Sequence, residues 1–264
     1  MALGLRVMLP VESARHQVPD LAAARGGEVE FRILGPLRVF DDEGRGLPLG
    51  GAKQRATLAM LLLSRNEIVS RDLLVDGLWG GSPPPTAGPT LNTYVSRLRR
   101  ILPDDARGPR LDAESSGYRL RVEVGELDLE RFETSLDVAR KDIISGDAEG
   151  AGRELHEALT LFHGAPLQDL AFSPFAQPEI GRLEDLRLAA LELRIETDMA
   201  MGRHTEVVGE LDSLVTRYPF REGLWAQLML ALYRSGRQGE ALIAFDRARS
   251  TLAEELGVDP SQPL

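Results

Sequence analysis

The segment from Thr90 to Leu102, which reads TLNTYVSRLRRIL, carries residue types that can contact DNA at a spacing that favours a helix. With about 100° between successive residues, one arc of that helix collects the apolar side chains, namely Leu91, Tyr94, Val95, Leu98, Ile101 and Leu102. The opposite arc contains no acidic residue and consists of Asn92, Thr93, Ser96, Arg97, Arg99 and Arg100. Arginine and asparagine can pair with base edges, and serine, threonine and arginine hold phosphates. The segment is therefore a candidate DNA-reading helix.

A solvated helix face is the alternative interpretation of the same residues. Such a face usually interleaves glutamate with arginine, because oppositely charged side chains four residues apart stabilise a helix. This arc has no glutamate with which its arginines could pair. The segment alone leaves both interpretations open, so the flanking elements bear on the choice.

The flanking elements predict a winged helix-turn-helix domain. VEFRILGPLRVF, from Val29, predicts short antiparallel strands, and AKQRATLAMLLLSRN and SRDLLVDGLWG predict two helices, the second capped by Ser70. GSPPPTAGP, from Gly81 to Pro89, predicts a loop because proline cannot continue a helix. RLDAESSGYRLRV predicts a hairpin that bends near Ser115 to Gly117. In a domain of this order, the last helix enters the major groove.

An internal repeat marks the sequence after Gly125, which is rich in Leu, Ala and Glu. MGRHTEVVGEL at residues 201–211 aligns with SGRQGEALIAF at residues 235–245. The offset between them is 34 residues, which equals the period of tetratricopeptide repeats, whose helical hairpins bury their apolar faces by stacking. A weaker copy, SGDAEGAGREL, occupies residues 145–155. We predict a helical repeat domain, with an unrelated helical bundle as the alternative.

The charge is divided unequally along the chain. A net charge of -10 argues against a nucleic-acid partner, because lysine and arginine dominate phosphate binding. Residues 29–124, however, carry 14 Lys and Arg against 12 Asp and Glu, a net +2, whereas residues 125–264 carry 14 against 26, a net -12. This asymmetry predicts two domains with different partners and allows DNA as the partner of the first.

The predicted organisation has three parts. We expect a disordered extension at residues 1–28, a DNA-binding domain at residues 29–124 and a helical domain at residues 125–264. The absence of cysteine excludes disulfides and thiolate zinc sites. No apolar run approaches the length that spans a bilayer, so we expect a cytoplasmic protein without a membrane partner.

Several motifs together resemble one bacterial family. Four segments resemble the OmpR-type DNA-binding domain of the Streptomyces antibiotic regulatory proteins, namely LGPLRVF, LPLGGAKQRATLAMLLLSRNEIVSRDLLVDGLWGGSPP, LNTYVSRLRRIL and GYRL. Three later segments resemble the bacterial transcriptional activator domain that follows it in that family, namely DLERFE, PFAQPEIGRLEDLRLAALELRIETDMAMGRH and LMLALYRSGRQGEALIAFDRARSTLAEELGVDPS. The resemblance extends from about Val29 to Leu264. It implies a mainly α fold with a small β component, in which a winged helix-turn-helix domain precedes an all-α tetratricopeptide-like domain.

The function implied by the resemblance is that of an actinomycete transcriptional activator. Such a protein binds double-stranded DNA at direct repeats upstream of a promoter, usually one for antibiotic biosynthesis genes. Tandem protomers or a dimer would occupy the repeats and contact RNA polymerase, through its sigma and alpha subunits. We expect no enzymatic activity and no cofactor.

Carried over by position, the family's reading helix falls on Thr90 to Arg100, including Tyr94. Arg97 is the first choice for a base contact, and the remaining DNA-contact candidates of this helix are Asn92, Thr93, Ser96, Arg99 and Arg100. Lys53 and Trp79 are candidate contacts to the DNA backbone, with a core anchor as an equal alternative for Trp79. The proline loop, Gly81 to Pro89, occupies the place where OmpR-type proteins meet polymerase.

The hairpin departs from the family pattern. Many relatives carry an arginine just before the Gly-Tyr pair, suited to a narrow minor groove, but this chain has Asp112 and Glu114 in its approach. Carboxylates facing phosphates would lower affinity. Either they point away from DNA and Arg110 or Arg119 makes the contact, or the hairpin contributes little.

Two other classes of function compete with this interpretation. The chain could be a helical-repeat scaffold for protein or RNA with an incidental arginine face. An enzyme is disfavoured, because no nucleophile, base and orienting group are recognisable together, and the phosphate-loop motif is absent. His156 and His163 lack a carboxylate in ligand register, so a metal site is not expected.

Overall fold

The computed structural model describes residues 29–105 and 107–261, so the predicted extension at residues 1–28 lies outside the described range. Its helices and strands are, in chain order, β1 (Glu30–Arg32), β2 (Arg38–Phe40), α1 (Ala52–Leu63), β3 (Val69–Ser70), α2 (Arg71–Trp79), α3 (Ala87–Ile101), β4 (Leu111–Ala113), β5 (Gly117–Leu120), α4 (Asp128–Ser145), α5 (Ala148–Thr160), a short 3-10 helix (Gln168–Leu170), α6 (Ala176–Ala200), α7 (His204–Arg217), α8 (Glu222–Arg234) and α9 (Gln238–Leu256). The predicted mainly α fold, with a winged-helix part before a helical repeat, is confirmed.

The predicted hairpin is joined by a strand that the sequence did not reveal. Strands β4 and β5 pair antiparallel, and the very short β3 pairs with the other edge of β5, giving the order β3-β5-β4. Gly117 is required at this junction, because a Cβ atom there would overlap the Val69 carbonyl oxygen. The short strand therefore locks the hairpin against the start of α2.

Helix α3 begins earlier than predicted. The sequence assigned Gly81 to Pro89 to a loop, but the helix starts at Ala87 and includes Pro89 in its first turn. Proline is tolerated there because the first N–H groups of a helix have no partner within the helix. The preceding α2 begins as predicted, with the Ser70 hydroxyl accepting a hydrogen bond from the Leu73 amide at 3.1 Å.

Three helical hairpins, α4–α5, α6–α7 and α8–α9, form the second half of the described chain. The joint of each contains a glycine with positive φ, namely Gly146, Gly202 and Gly236, because each joint turns through the left-handed region that glycine adopts without strain. The end of α8 lies 34 residues after the end of α6, and the start of α9 lies 34 residues after the start of α7. The two sequence copies are separated by the same offset. The offset seen in the sequence is thus the repeat of the fold.

The hydrophobic core crosses the predicted domain boundary near residue 124. One buried cluster contains the apolar residues of the winged-helix part together with those of α4, α5 and the first half of α6. A second cluster contains the end of α6 with α7, α8 and α9. The winged-helix part is therefore packed directly on the first helical hairpin, rather than separated from it by a linker.

Asp128, at the start of α4, connects these two parts through hydrogen bonds. Its side chain is buried, and its carboxylate accepts bonds from the backbone amides of Ile33 and Leu34, which follow β1, and of Leu129, at 2.8–2.9 Å. Burial raises the pKa of Asp128 to about 6, against the opposing effect of these N–H donors. The Asp128 carboxylate thus fixes the orientation of the winged-helix part on α4.

Candidate nucleic-acid interface

Helix α3 separates a buried face from an exposed polar face. Its buried residues are Ala87, Leu91, Val95 and Leu98, which pack against α1, α2 and β4. The exposed side chains of this helix that were predicted to contact DNA are Asn92, Thr93, Ser96, Arg97 and Arg100. The half-buried ones are Thr90, Tyr94 and Arg99. The predicted core face is confirmed, and the exposed residues form one continuous surface without a carboxylate of its own helix.

Arg97 occupies the middle of that surface. Its side chain makes no hydrogen bond or ion pair with any residue in the described ranges 29–105 and 107–261. Its neighbours are partly engaged with their own helix: the Thr93 hydroxyl donates to the Pro89 carbonyl at 3.1 Å, and the Arg100 Nε donates weakly to the Ser96 carbonyl at 3.4 Å. The Arg97 guanidinium can therefore contact a ligand without breaking a bond within the described chain.

Asn92 is held in place by Tyr118, a residue that the sequence does not predict to lie at the interface. The Tyr118 hydroxyl of β5 donates to the Asn92 Oδ1 at 2.6 Å, so the amide N–H groups of Asn92 remain as donors. The Arg71 guanidinium, at the start of α2, lies 5.5 Å above the Tyr118 ring. Arg71 is exposed and adds a cation beside α3. Only the pairing of β3 with β5 brings Arg71 there, so no local sequence signal could have identified it.

Arg99 faces the hairpin rather than solvent. Its Nε donates to the Leu111 carbonyl of β4 at 2.6 Å. Since the side chain is half-buried, its role in the fold is to tie α3 to β4. Any phosphate contact by Arg99 must therefore use the terminal nitrogens of its guanidinium.

Lys53 and Trp79 form a pair at the other end of the winged-helix part. The Lys53 Nζ donates to the Leu78 carbonyl at 2.5 Å and lies 4.7 Å from the centre of the Trp79 ring, a cation–π arrangement. Trp79 is half-buried and packs against the core, so its side chain anchors the end of α2 while part of it stays exposed to solvent. Both side chains meet where α1 begins and α2 ends.

Arg110 does not fit its predicted role as a DNA contact. Only 6% of its side chain is exposed, and its two terminal nitrogens donate to the Glu126 carboxylate at 2.6 and 2.7 Å. A phosphate could reach Arg110 only if a buried ion pair were broken, which is strongly unfavourable. Arg110 therefore lies outside the candidate interface. Its partner Glu126 precedes α4, so this pair is another link between the two parts of the protein.

The hairpin arginines are engaged by carboxylates. Arg119 pairs with Glu114, and Arg121 pairs with Asp105 and Asp112. Hydrogen bonds from Arg121 lower the pKa of Asp105 to about 2, so this carboxylate stays ionised at neutral pH. The acidic residues that seemed out of place in the sequence are therefore partners of the hairpin's own arginines.

Other kinds of site receive no support from the described residues. Across residues 29–105 and 107–261, no group of three or more His, Asp or Glu side chains is placed to hold a metal ion. No helix in this part of the chain is long and apolar enough to cross a membrane.

Two family models match this chain. The model described as "Transcriptional regulatory protein, C terminal" matches residues 47–120, which contain α1 to β5. The model described as "Bacterial transcriptional activator domain" matches residues 127–264, which contain all the helices from α4 onward.

Similar proteins match this chain over most of its length. The transcriptional regulatory protein MoaR1 of Mycobacterium tuberculosis is 41% identical over 94% of this chain and 81% of its own length. The regulatory protein DnrI of Streptomyces peucetius is 37% identical over 89% of each chain. A solved structure of Mycobacterium tuberculosis EmbR, in complex with a low-affinity phosphopeptide, matches with a TM-score of 0.86 and 38% identity, covering 90% of this chain and 63% of that chain.

Proposed function

The chain belongs to the Streptomyces antibiotic regulatory protein family of DNA-binding transcriptional regulators, which are not enzymes, and from this premise we propose that it is a sequence-specific activator. The observation that carries the proposal is the exposed face of α3, which presents Asn92, Ser96 and Arg97 without an acidic residue. In a winged-helix protein that face enters the major groove.

The residues of this face divide into two proposed roles. Arg97, whose guanidinium has no partner among the described residues, is suited to the two acceptors of a guanine edge. Asn92 donates to a base through the amide that Tyr118 leaves free, and Thr93 lies beside it. The remaining polar residues of α3 contact phosphates or the groove wall, namely Thr90, Tyr94, Ser96, Arg99 and Arg100, as do Lys53 and Trp79 at the far end of the domain. Arg119 in the hairpin stays paired with Glu114 and makes no such contact.

Direct repeats are the proposed target, bound by tandem protomers or a dimer, and antibiotic biosynthesis genes are the proposed regulon. RNA polymerase is the proposed partner, through its sigma and alpha subunits. The exposed loop between α2 and α3 supports the last point, because residues 81–86 are all exposed and three successive prolines restrict their conformations. A cytoplasmic location follows from a DNA target and is part of the proposal.

A mobility-shift experiment with the whole chain tests this function. DNA from upstream of the chain's own operon should be retarded in the presence of excess unrelated DNA, and the same fragment should support activated transcription by purified polymerase. Equal, weak binding to every duplex would refute sequence-specific recognition and favour a scaffold. Specific binding without activated transcription would refute only the polymerase contact.

A further inference from the structure

The hairpin formed by β4, β5 and their turn, residues 111–120, presents its charged side chains on one face. Asp112 stands opposite Arg119 in the strand register, and Arg121 lies two residues beyond Arg119. Because alternate residues of a strand share a face, these three side chains project together. The opposite face carries the buried Leu111, Leu120 and Tyr118, so the charged face points away from the core.

Glu114 is the principal partner of Arg119. The Arg119 terminal nitrogen lies 2.7 Å from the Glu114 Oε1 and 3.8 Å from the Asp112 Oδ2. Asp112 is already engaged by Arg121, which also donates to Asp105 and to the Pro109 carbonyl. The ion pair between Arg119 and Glu114 is therefore the one that holds Arg119 in its present orientation.

Arg119 keeps unused capacity to bind an anion. Its side chain is 37% exposed, and a guanidinium has five N–H donors, more than this pairing uses. Exposed ion pairs of this kind are weak, because water and salt screen them. Removal of the Glu114 carboxylate therefore costs little stability and leaves the Arg119 guanidinium able to bind a phosphate oxygen.

The hairpin is fixed beside the exposed face of α3. Tyr118 of β5 bonds to Asn92, Leu111 of β4 accepts from Arg99, and the Arg71 amide donates to the Ser116 carbonyl in the hairpin turn at 3.3 Å. When α3 lies in a groove, the turn that contains Glu114 must therefore approach the DNA backbone. Release of Arg119 from Glu114 would therefore place a guanidinium near the phosphates.

We propose that Glu114 is a negative determinant of DNA affinity, which holds Arg119 in an internal ion pair and so suppresses sequence-independent binding. This inference rests on the proposed DNA-binding function, because it concerns the same interface. Phosphate contacts act on all sequences alike. Glu114 therefore lowers binding to the many competing sites of a genome together with binding to the target.

The test compares the whole chain with its Glu114→Gln variant on a duplex that the wild type retards and on an unrelated duplex. One added phosphate contact should steepen the slope of log affinity against log salt by about one, which corresponds to an affinity gain of about eightfold at about 0.1 M salt. The gain should be the same on both duplexes. The Glu123→Gln variant is the matched control, because Glu123 is exposed and makes no ion pair with the described residues.

The same Glu114 substitution made in a chain without Arg119 distinguishes release of Arg119 from simple removal of a negative charge. In an Arg119→Gln chain, the added Glu114→Gln change should give no gain in affinity and no change in salt slope. A gain that persists there would overturn the inference, as would unchanged affinity in the single variant while the wild type binds. A wild type that binds no DNA would overturn the proposed function itself, and unfolding temperatures confirm that each variant is folded.

Discussion

Replacement of Asp128 by alanine should destabilise the protein more than any surface substitution in α4. The Asp128 carboxylate accepts from three backbone amides, and those of Ile33 and Leu34 belong to residues that are almost fully buried. A buried donor left without a partner costs about 1–3 kcal/mol. The expected loss in the free energy of unfolding, for these two buried donors, is therefore about 2–6 kcal/mol at pH 7.

Denaturant unfolding of the whole chain, followed by helical circular dichroism, measures this loss. Asp137→Ala is the control, since Asp137 lies on the same helix but forms an exposed pair with Arg140, worth about 0–1 kcal/mol. A loss of less than about 1 kcal/mol for Asp128→Ala would refute the conclusion that this carboxylate holds the two parts of the protein together.

The same residue should give the stability a distinctive pH dependence. The pKa of Asp128 is about 6 in the folded protein and 3.8 when the group is unperturbed, so the folded state holds a proton that the unfolded state releases. This pKa difference adds about 3 kcal/mol of stability below about pH 4, and the addition is lost as the pH rises through 6, which leaves the hydrogen-bond contribution given above for pH 7. The stability difference between wild type and Asp128→Ala should fall accordingly between pH 4 and pH 7, and a difference that rises would contradict the assignment.

Three further predictions concern the interface and its support. Arg97→Ala should cost about 1–3 kcal/mol on the target site and relax specificity at one base, as measured by titration against single-base variants of that site. Arg100→Ala should weaken binding to all sequences alike and reduce the salt slope by about one, which titrations at several salt concentrations would detect. Gly117→Ala should lower the unfolding temperature, because its Cβ would overlap the Val69 carbonyl oxygen; an unchanged temperature would contradict the close approach of β3.

Local patterns predicted the elements that depend on local physics. The arc of Leu91, Val95 and Leu98 indicated the buried side of α3, because helical periodicity alone determines which residues share a face. The offset between the two sequence copies equals the spacing of the joints at Gly202 and Gly236, where both glycines adopt a left-handed backbone. These features could be predicted without knowledge of the rest of the fold.

Features that depend on distant partners could not be predicted in this way. Arg110 is a residue type that often contacts DNA, but its burial against Glu126 depends on where α4 packs. Arg71 approaches the exposed face of α3 only because the short β3 pairs with β5. The role of Asp128 was equally hidden, because its partners after β1 are far away along the chain. Tertiary packing, rather than local preference, decides these positions.

Selection of binding sites from a random DNA library, performed in parallel with the wild-type chain and the Arg97→Ala variant, tests the claim that the exposed face of α3 reads DNA. If the exposed face of α3 reads DNA, the wild type should enrich a directly repeated motif. The variant should then lose base preference at the same single position in each repeat. Enrichment of no motif by the wild type, or of an identical motif by both proteins, would contradict the claim.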